Sequence, residues 1–133
     1  MLEHFELKEL KQDTRGEICL LIFDKFEAFV SHTKKGVSRS GYYFKPNKDI
    51  AGAPSRIYVV LRGRFLYREK DMASGNEVEK EIKTGDHFSI MDNHAHMFTA
   101  LEDTDMIEFT PGATGKIEMV PYQSYREIVE RDI

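Results

Sequence analysis

Three short segments of this 133-residue sequence carry side chains whose chemistry suits the binding of a small molecule. Successive side chains of a β-strand point to opposite faces of the sheet, so residues two apart share a face. Together these faces hold a guanidinium, phenols and an imidazole, a set that is typical of a site for an anionic or polyhydroxylated ligand. The three faces comprise Ser40, Tyr42 and Phe44; Arg56, Tyr58 and Val60; and His96, Phe98 and Ala100.

The same residues could carry out proton transfer. His96 would exchange protons near neutral pH, and Tyr42 would donate one to a developing enolate, as proton-shifting isomerisation requires. In the structural alternative, the aromatic side chains only fill the interior, and Arg56 pairs with an acidic neighbour such as Glu102 or Asp103. The predicted catalytic residues are His96 and Tyr42, and the predicted ligand-binding residues are Arg56, Tyr58, Phe44, Phe98 and Ser40.

Three histidines form a competing pattern. His94 and His96 lie two residues apart, so they share a strand face, and His87 lies just upstream. Three imidazoles could bind zinc or iron. Against this, a turn at Asp92–Asn93 interrupts the strand before His94, and His87 has the parity opposite to apolar Phe88. The histidines therefore leave two interpretations open, a divalent transition metal site or a solvated loop histidine at position 94.

The elements that must position these residues are mostly strands. Runs rich in Ile, Val, Phe, Tyr and Thr alternate with Gly, Pro, Asn and Asp clusters, which predicts about ten short strands and favours a jelly roll. Turns are expected at 72–76 and 84–86, and the loop Pro46–Pro54 is a candidate lid. A short amphipathic helix at Tyr122–Arg131 is expected to close one end. The predicted strands are Glu17–Phe23, Lys25–Val30, Val37–Phe44, Arg56–Leu61, Arg64–Glu69, Glu77–Lys83, His87–Met91, His96–Leu101, Met106–Thr110 and Lys116–Val120.

Composition argues against several classes of function. The formal net charge is -4 and the charges are scattered, whereas nucleic-acid binding needs clustered Lys and Arg. The longest apolar run, Cys19–Phe23, is too short for a membrane span, and the first residues lack the pattern of a secretion signal. The lone Cys19 cannot form an internal disulfide, so the cytoplasm is the expected compartment. The length fits a single domain over residues 1–133, with its core at 36–110.

Residues 36–100 resemble the two-part cupin motif in spacing. In the first part, Tyr42 and Phe44 stand at the two histidine places after Gly36, and Arg56 stands at the glutamate place before Gly63. Of the four usual metal ligands, the pattern retains one. The second part reads Gly85, Met91, Asn93 and His96.

The resemblance implies an all-β double-stranded β-helix, the jelly-roll cupin barrel, with the three faces converging on one pocket. Because most of the usual ligands are replaced, we expect that pocket to work without a catalytic metal. The resemblance also implies a homodimer, for which the apolar segment Ile18–Phe29 could furnish the contact.

A narrower resemblance links Asp13-Thr14-Arg15-Gly16 and the segment Gly36–Lys45 to the nucleotide-sugar cupins, which are deoxythymidine-diphosphate-sugar epimerases and ketoisomerases. In those enzymes a histidine base stands at the place that Tyr42 occupies here. The implied function is the binding or isomerisation of a small anionic sugar derivative. A non-catalytic ligand-binding or sensor domain, and a metal-dependent enzyme that uses His87, His94 and His96, are the alternatives.

Overall fold

The computed structural model describes residues 6–22, 27–45, 56–109 and 118–131, and this part of the chain contains eleven strands and one helix. It confirms the predicted all-β class with a short C-terminal helix. The helix is α1, Gln123–Glu130. The strands are β1 Glu6–Asp13, β2 Gly16–Ile22, β3 Glu27–Thr33, β4 Ser38–Phe44, β5 Arg56–Arg62, β6 Arg64–Asp71, β7 Glu77–Lys83, β8 His87–Ile90, β9 His94–Ala100, β10 Thr104–Phe109 and β11 Met119–Pro121.

The strands form two antiparallel sheets that enclose the apolar core. One sheet has the order β1-β2-β3-β10-β5-β8, and the other has the order β11-β4-β9-β6-β7. Both sheets contribute to the buried cluster, as the alternation of apolar and polar residues along their strands requires. The buried cluster comprises Tyr58, Val60, Phe65, Tyr67, Ile82, Ile90, Phe98 and Met106.

Most predicted strands are present, with ends that differ by a few residues. The strand β7 has the predicted bounds, whereas β9 begins at His94 rather than His96 because the chain extends directly after the turn at Asp92–Asn93. The expected turns at 72–76 and 84–86 are also present. The loop Pro46–Pro54 lies outside the described residues.

The first strand was not predicted. The segment Glu6–Asp13 carries many charged residues, and it pairs with β2 at the edge of the six-stranded sheet. Charged side chains suit an edge strand because they oppose pairing with another chain, so a charge-rich segment can still be a strand.

A β-bulge in β4 sets which of its side chains face the interior. Along the ladder between β4 and β9, Ser40 pairs with Met97, and the next pair joins Tyr42 to His96. Gly41 is therefore the extra residue of the bulge. Ser40 and Gly41 both have positive φ, at 75° and 91°.

The bulge reverses the faces of the residues that precede it in β4. Strict alternation places Arg39 with Tyr43 and Lys45 on the outer face, as a solvated cation. The extra residue shifts the alternation, so Ser40 lies opposite Met97 on the outer face, and the prediction that its side chain shares the face of Tyr42 and Phe44 is wrong. Arg39 instead lies opposite Phe98 and is buried. A second cation therefore points toward the space between the sheets.

Helix α1 packs on the outer face of the five-stranded sheet, so the expectation that it closes one end is wrong. Its Tyr125 and Val129 are buried against Ala95 and Met97, which lie on the face of β9 that points away from the core. Arg126 donates a hydrogen bond of 2.7 Å from Nη1 to the carbonyl of Ser40. The helix is thus attached directly to the bulge.

We predict that Gly41→Ala is more destabilising than Gly85→Ala, although both glycines have φ near +90°. A Cβ at position 41 would lie 3.1 Å from the backbone nitrogen of Arg126, whereas a Cβ at position 85 would meet no atom within 4 Å. Both variants bear the cost of a left-handed backbone, about 1 kcal/mol, and only the first must displace the helix. Urea unfolding measures both losses, and equal losses would show that the helix contact is unimportant.

Candidate functional site

A cavity of about 440 Å³ lies between the two sheets. The strands β4 and β9 form one wall, and β2, β3, β5 and β10 contribute to the other. All seven residues that the sequence predicts as catalytic or ligand-binding line this one cavity. They are Ser40, Tyr42, Phe44, Arg56, Tyr58, His96 and Phe98.

Arg56 and Glu108 form an ion pair in the wall of the cavity. The distance from Arg56 Nε to Glu108 Oε1 is 3.4 Å, and 13% and 24% of the two side-chain surfaces are accessible. The predicted partners of Arg56 are wrong, because Glu102 contacts Arg64 and the carboxylate of Asp103 accepts the backbone N–H of Lys35. Glu108 lies close to Arg56 because β10 pairs directly with β5.

Tyr58 completes this polar group. Its hydroxyl donates to Glu108 Oε1 at 2.8 Å. Burial, and then the charge and hydrogen bond of Glu108, raise the pKa of Tyr58 well above the usual value, so the phenol keeps its proton. Burial also raises the pKa of Glu108, although the charge of Arg56 and the Tyr58 hydrogen bond act in the opposite direction. Arg56 is thus the main group that favours an ionised Glu108.

Aromatic rings surround the Arg56 guanidinium. Its Cζ atom lies 5.0 Å from the centroid of the Phe44 ring and 5.5 Å from that of Phe29. A cation over an aromatic face is stabilised by the ring quadrupole, by about 0.5–2 kcal/mol depending on desolvation. The cation is therefore held in a defined place beside the cavity.

His96 is buried, with 1% of its surface accessible, and is neutral at physiological pH. Burial, assisted by the nearby charge of Arg56, lowers the pKa of His96 to about 4 against the effect of the His94 carbonyl. Nδ1 lies 3.4 Å from that carbonyl, so it carries the proton and Nε2 is the acceptor nitrogen. The ring stacks on Phe44 with centroids 5.5 Å apart.

Tyr42 lies opposite His96 in the ladder between β4 and β9. The guanidinium of Arg126 lies 4.7 Å from the centroid of the Tyr42 ring. A residue of the outer helix therefore supports a side chain that lines the cavity.

Two charged residues of the cavity were not predicted from the sequence, and both left a signal. Glu108 is a lone carboxylate in the run Met106-Ile107-Glu108-Phe109, where it has the parity of an inward-facing methionine. Arg39 precedes Ser-Gly inside a strand, which is a typical position for a bulge. Its Nε donates to Thr33 Oγ1 at 2.6 Å.

The D-x-R-G residues form the turn between β1 and β2. Arg15 donates from Nε and Nη2 to Asp13 Oδ2 at 3.0 and 2.7 Å. A Cβ at Gly16 would lie 1.9 Å from the carbonyl oxygen of His32, so only glycine fits there. That same carbonyl, which belongs to β3, accepts a hydrogen bond from Arg39, so the turn lies close to the buried cation.

The positions of the usual cupin ligands do not fit a divalent transition metal here. Phe44 offers no donor atom, and Arg56 places a permanent positive charge over its ring. Of the four positions, Tyr42 and His96 alone carry atoms that could coordinate a metal.

The alternative metal site of His87, His94 and His96 is also not formed, because the three side chains are not brought together. His87 is exposed on β8, in the sheet opposite to the one that contains β9. The ring of His94 contacts the carbonyl of Asp92 through Nδ1 at 2.8 Å, and its Nε2 lies 3.9 Å from a carboxylate oxygen of Asp71. Among the residues that the structure describes, no three His, Cys, Asp or Glu side chains are grouped as metal ligands.

The helix in the described part of the chain lacks the length and apolarity needed to cross a membrane. No protein-family model matches the sequence, and no curated protein matches it either.

Solved structures share the fold at low sequence identity. The capsular polysaccharide assembling protein CapF from Staphylococcus aureus has a TM-score of 0.69 and 14% identity over 88% of this chain, which corresponds to 32% of CapF. Oxalate decarboxylase from Bacillus subtilis has a TM-score of 0.66 and 12% identity over 87% of this chain and 31% of its own. This chain thus spans about a third of either protein.

The cupin domain of CENP-C from Drosophila melanogaster is similar over most of both chains. It has a TM-score of 0.59 and 13% identity, with 77% of this chain and 74% of that domain covered. The two facing sheets, the interior cavity and these similarities lead to one conclusion about architecture: the chain has the cupin fold, a jelly roll of two antiparallel sheets.

Proposed function

We propose that this protein binds a small anionic sugar derivative in its cavity and works without a metal at the usual cupin ligand positions. The observation that carries the proposal is the pairing of Arg56 with Glu108 beside aromatic rings in the cavity wall. A guanidinium suits carboxylate or phosphate, a carboxylate accepts sugar hydroxyls, and aromatic faces pack against the apolar faces of a sugar ring. The fold similarity to CapF, a capsular polysaccharide assembling protein, supports a carbohydrate ligand.

An isomerisation would use two further polar residues of the cavity, His96 and Tyr42. His96 Nε2 would take a proton from a carbon next to a carbonyl, and the Tyr42 hydroxyl would protonate the enolate oxygen. The phenolate would then take the proton of the neighbouring hydroxyl as the enediol collapses to the new carbonyl, and His96 would deliver its proton to the former carbonyl carbon. This chemistry needs a neutral imidazole, as the lowered pKa of His96 provides.

A binding or sensor function without catalysis is the second candidate. It is favoured by the same lowered pKa, because a base whose conjugate acid has a pKa of about 4 drives proton abstraction weakly at neutral pH. Binding and catalysis therefore make different predictions for the same ligand.

We predict that deoxythymidine-diphosphate sugars raise the melting temperature of the protein, because a ligand that prefers the folded state stabilises it. In Arg56→Ala the shift should shrink, with affinity lowered about tenfold or more, since the charged partner of the anion is lost. Arg62→Ala is the matched control, because this arginine lies on the same strand with 71% of its side chain accessible and pairs with Asp105. No shift with any nucleotide or sugar phosphate in a panel would refute the proposed ligand class.

Product formation separates the two candidates. If the protein is an isomerase, mass-neutral conversion of a bound sugar nucleotide is seen by NMR, and Tyr42→Phe and His96→Gln each lower kcat by about 100-fold or more with little change in ligand affinity. A ligand that binds specifically and is recovered unchanged after long incubation would identify a binding protein.

The neutral state of His96 has a consequence for stability. Its pKa is about 4 in the folded protein and 6.5 in a model peptide, so between these values the unfolded chain binds more protons. The folded state should therefore lose stability as pH falls from about 6.5 to about 4, by at most about 1.4 kcal/mol per pH unit. His96→Gln should lack this contribution, while the opposite contribution of Glu108 is common to both proteins. Urea unfolding as a function of pH tests this, and parallel pH profiles would contradict a neutral His96.

A further inference from the structure

The Arg56–Glu108 pair raises a question about any anionic ligand, because the carboxylate already occupies one side of the cation. Both residues line the cavity, and their side chains keep 13% and 24% of their surface accessible. A ligand anion that reaches Arg56 must share it with Glu108 or displace that carboxylate. Glu108 already lies 3.4 Å from the guanidinium. A ligand anion that contacted the same guanidinium, in a site of low polarity, would strongly repel the Glu108 carboxylate.

Glu108 also contacts Tyr58, and this hydrogen bond can form whether the Glu108 carboxyl is ionised or protonated. The Tyr58 hydroxyl donates to Glu108 Oε1 at 2.8 Å when the carboxyl is ionised. A protonated carboxyl can instead donate to the phenol oxygen, so the hydrogen bond survives with its direction reversed. Loss of Arg56 as a partner therefore does not leave Glu108 without a hydrogen bond.

We propose that the cavity binds its anion by exchange: the carboxylate or phosphate of the ligand replaces Glu108 at Arg56, and Glu108 takes up one proton. The proposal rests on the proposed function and adds a mechanism of recognition. Its charges balance, since one cation and one anion remain paired while the entering negative charge is matched by the proton. Burial already raises the pKa of Glu108, and a ligand anion that neutralises Arg56 removes the largest effect that lowers it.

Among the described residues, other charged or titratable side chains also line the cavity, and the proton linkage of Glu108 must be distinguished from theirs. Besides Glu108, the charged or titratable residues that line the cavity are Arg56 and Tyr58 of β5, His96 of β9, and Arg39 and Tyr42 of β4. The cavity residues of β2 and β3 carry no titratable group; they are Ile18, Phe29 and Ser31. In the unliganded protein His96 is neutral above about pH 5.5 because its pKa is about 4, and guanidinium groups keep their protons throughout. A ligand that neutralises Arg56 also removes one effect that lowers the pKa of His96, so the Glu108→Gln variant separates proton uptake by Glu108 from uptake by His96.

The experiment is titration calorimetry with D-glucuronate, a polyhydroxylated anion whose own carboxylate stays ionised over about pH 5.5 to 8. Measurements at each pH in two buffers of different ionisation enthalpy give the number of protons taken up. We expect uptake that approaches one proton per bound ligand, and affinity that improves by up to about tenfold for each pH unit lowered.

Glu108→Gln is the informative variant, because it keeps the shape and the Tyr58 contact but has no carboxylate to protonate. It should bind glucuronate without proton uptake, with pH-independent affinity and more tightly than the unaltered protein near pH 8. Glu102→Gln is the control, since this exposed carboxylate pairs with Arg64 outside the cavity; its proton uptake should equal that of the unaltered protein.

The outcomes distinguish the exchange from the function on which it rests. Glucuronate binding with no proton uptake, or uptake that persists in Glu108→Gln, overturns the exchange and leaves the anionic ligand class in place. Failure of glucuronate and of every sugar phosphate to bind overturns both.

Discussion

The ion pair between Arg56 and Glu108 is the constraint on which the chemistry of this cavity depends. A buried charge is costly unless it is paired and hydrogen-bonded, and here each charge makes the other tolerable between two sheets. The guanidinium disfavours a metal at the place where the fold usually holds one. Burial is the main reason that His96 is neutral and Tyr58 is protonated, and Arg56 and Glu108 add to its effect on the two groups. The pair thus reinforces protonation states that burial already favours.

The backbone that presents these groups has two irregular points, the bulge in β4 and a register shift between β10 and the end of β5 at Asp105 and Met106. Inward-facing residues of β5, β9 and β10 follow the simple alternation of a strand, which needs no special device. In β4 the extra residue Gly41 lets Arg39 and Tyr42 both face the cavity, although they are three residues apart. Such a bulge is stable here because Arg126 holds the carbonyl of Ser40. The bulge thus adds the polar side chain of Arg39 to a cavity whose wall is largely aromatic.

Much of the fold and part of the site could be predicted from the sequence, for reasons that are physical. Alternation along a strand is a local property, so the inward faces that contain Tyr42, Arg56 and His96 followed from spacing. The partner of a residue on a neighbouring strand is not a local property. Glu108 contacts Arg56 only because β10 lies beside β5, and the spacing of residues along the chain does not predict that these two strands pair. The strand β1 was missed because a charged edge strand resembles a loop in composition, and Arg39 because one inserted residue reverses parity.

The position of helix α1 has a wider consequence for how this protein can change. Because Arg126 holds both the bulge and the face of Tyr42 from outside the sheets, the interior is shaped partly by residues that no ligand touches. Substitutions on the solvent side of the helix can alter its docking by small amounts, and the cavity walls follow. Selection can therefore adjust the shape of the cavity gradually from the exterior, without passing through variants in which the buried charges are left unmatched.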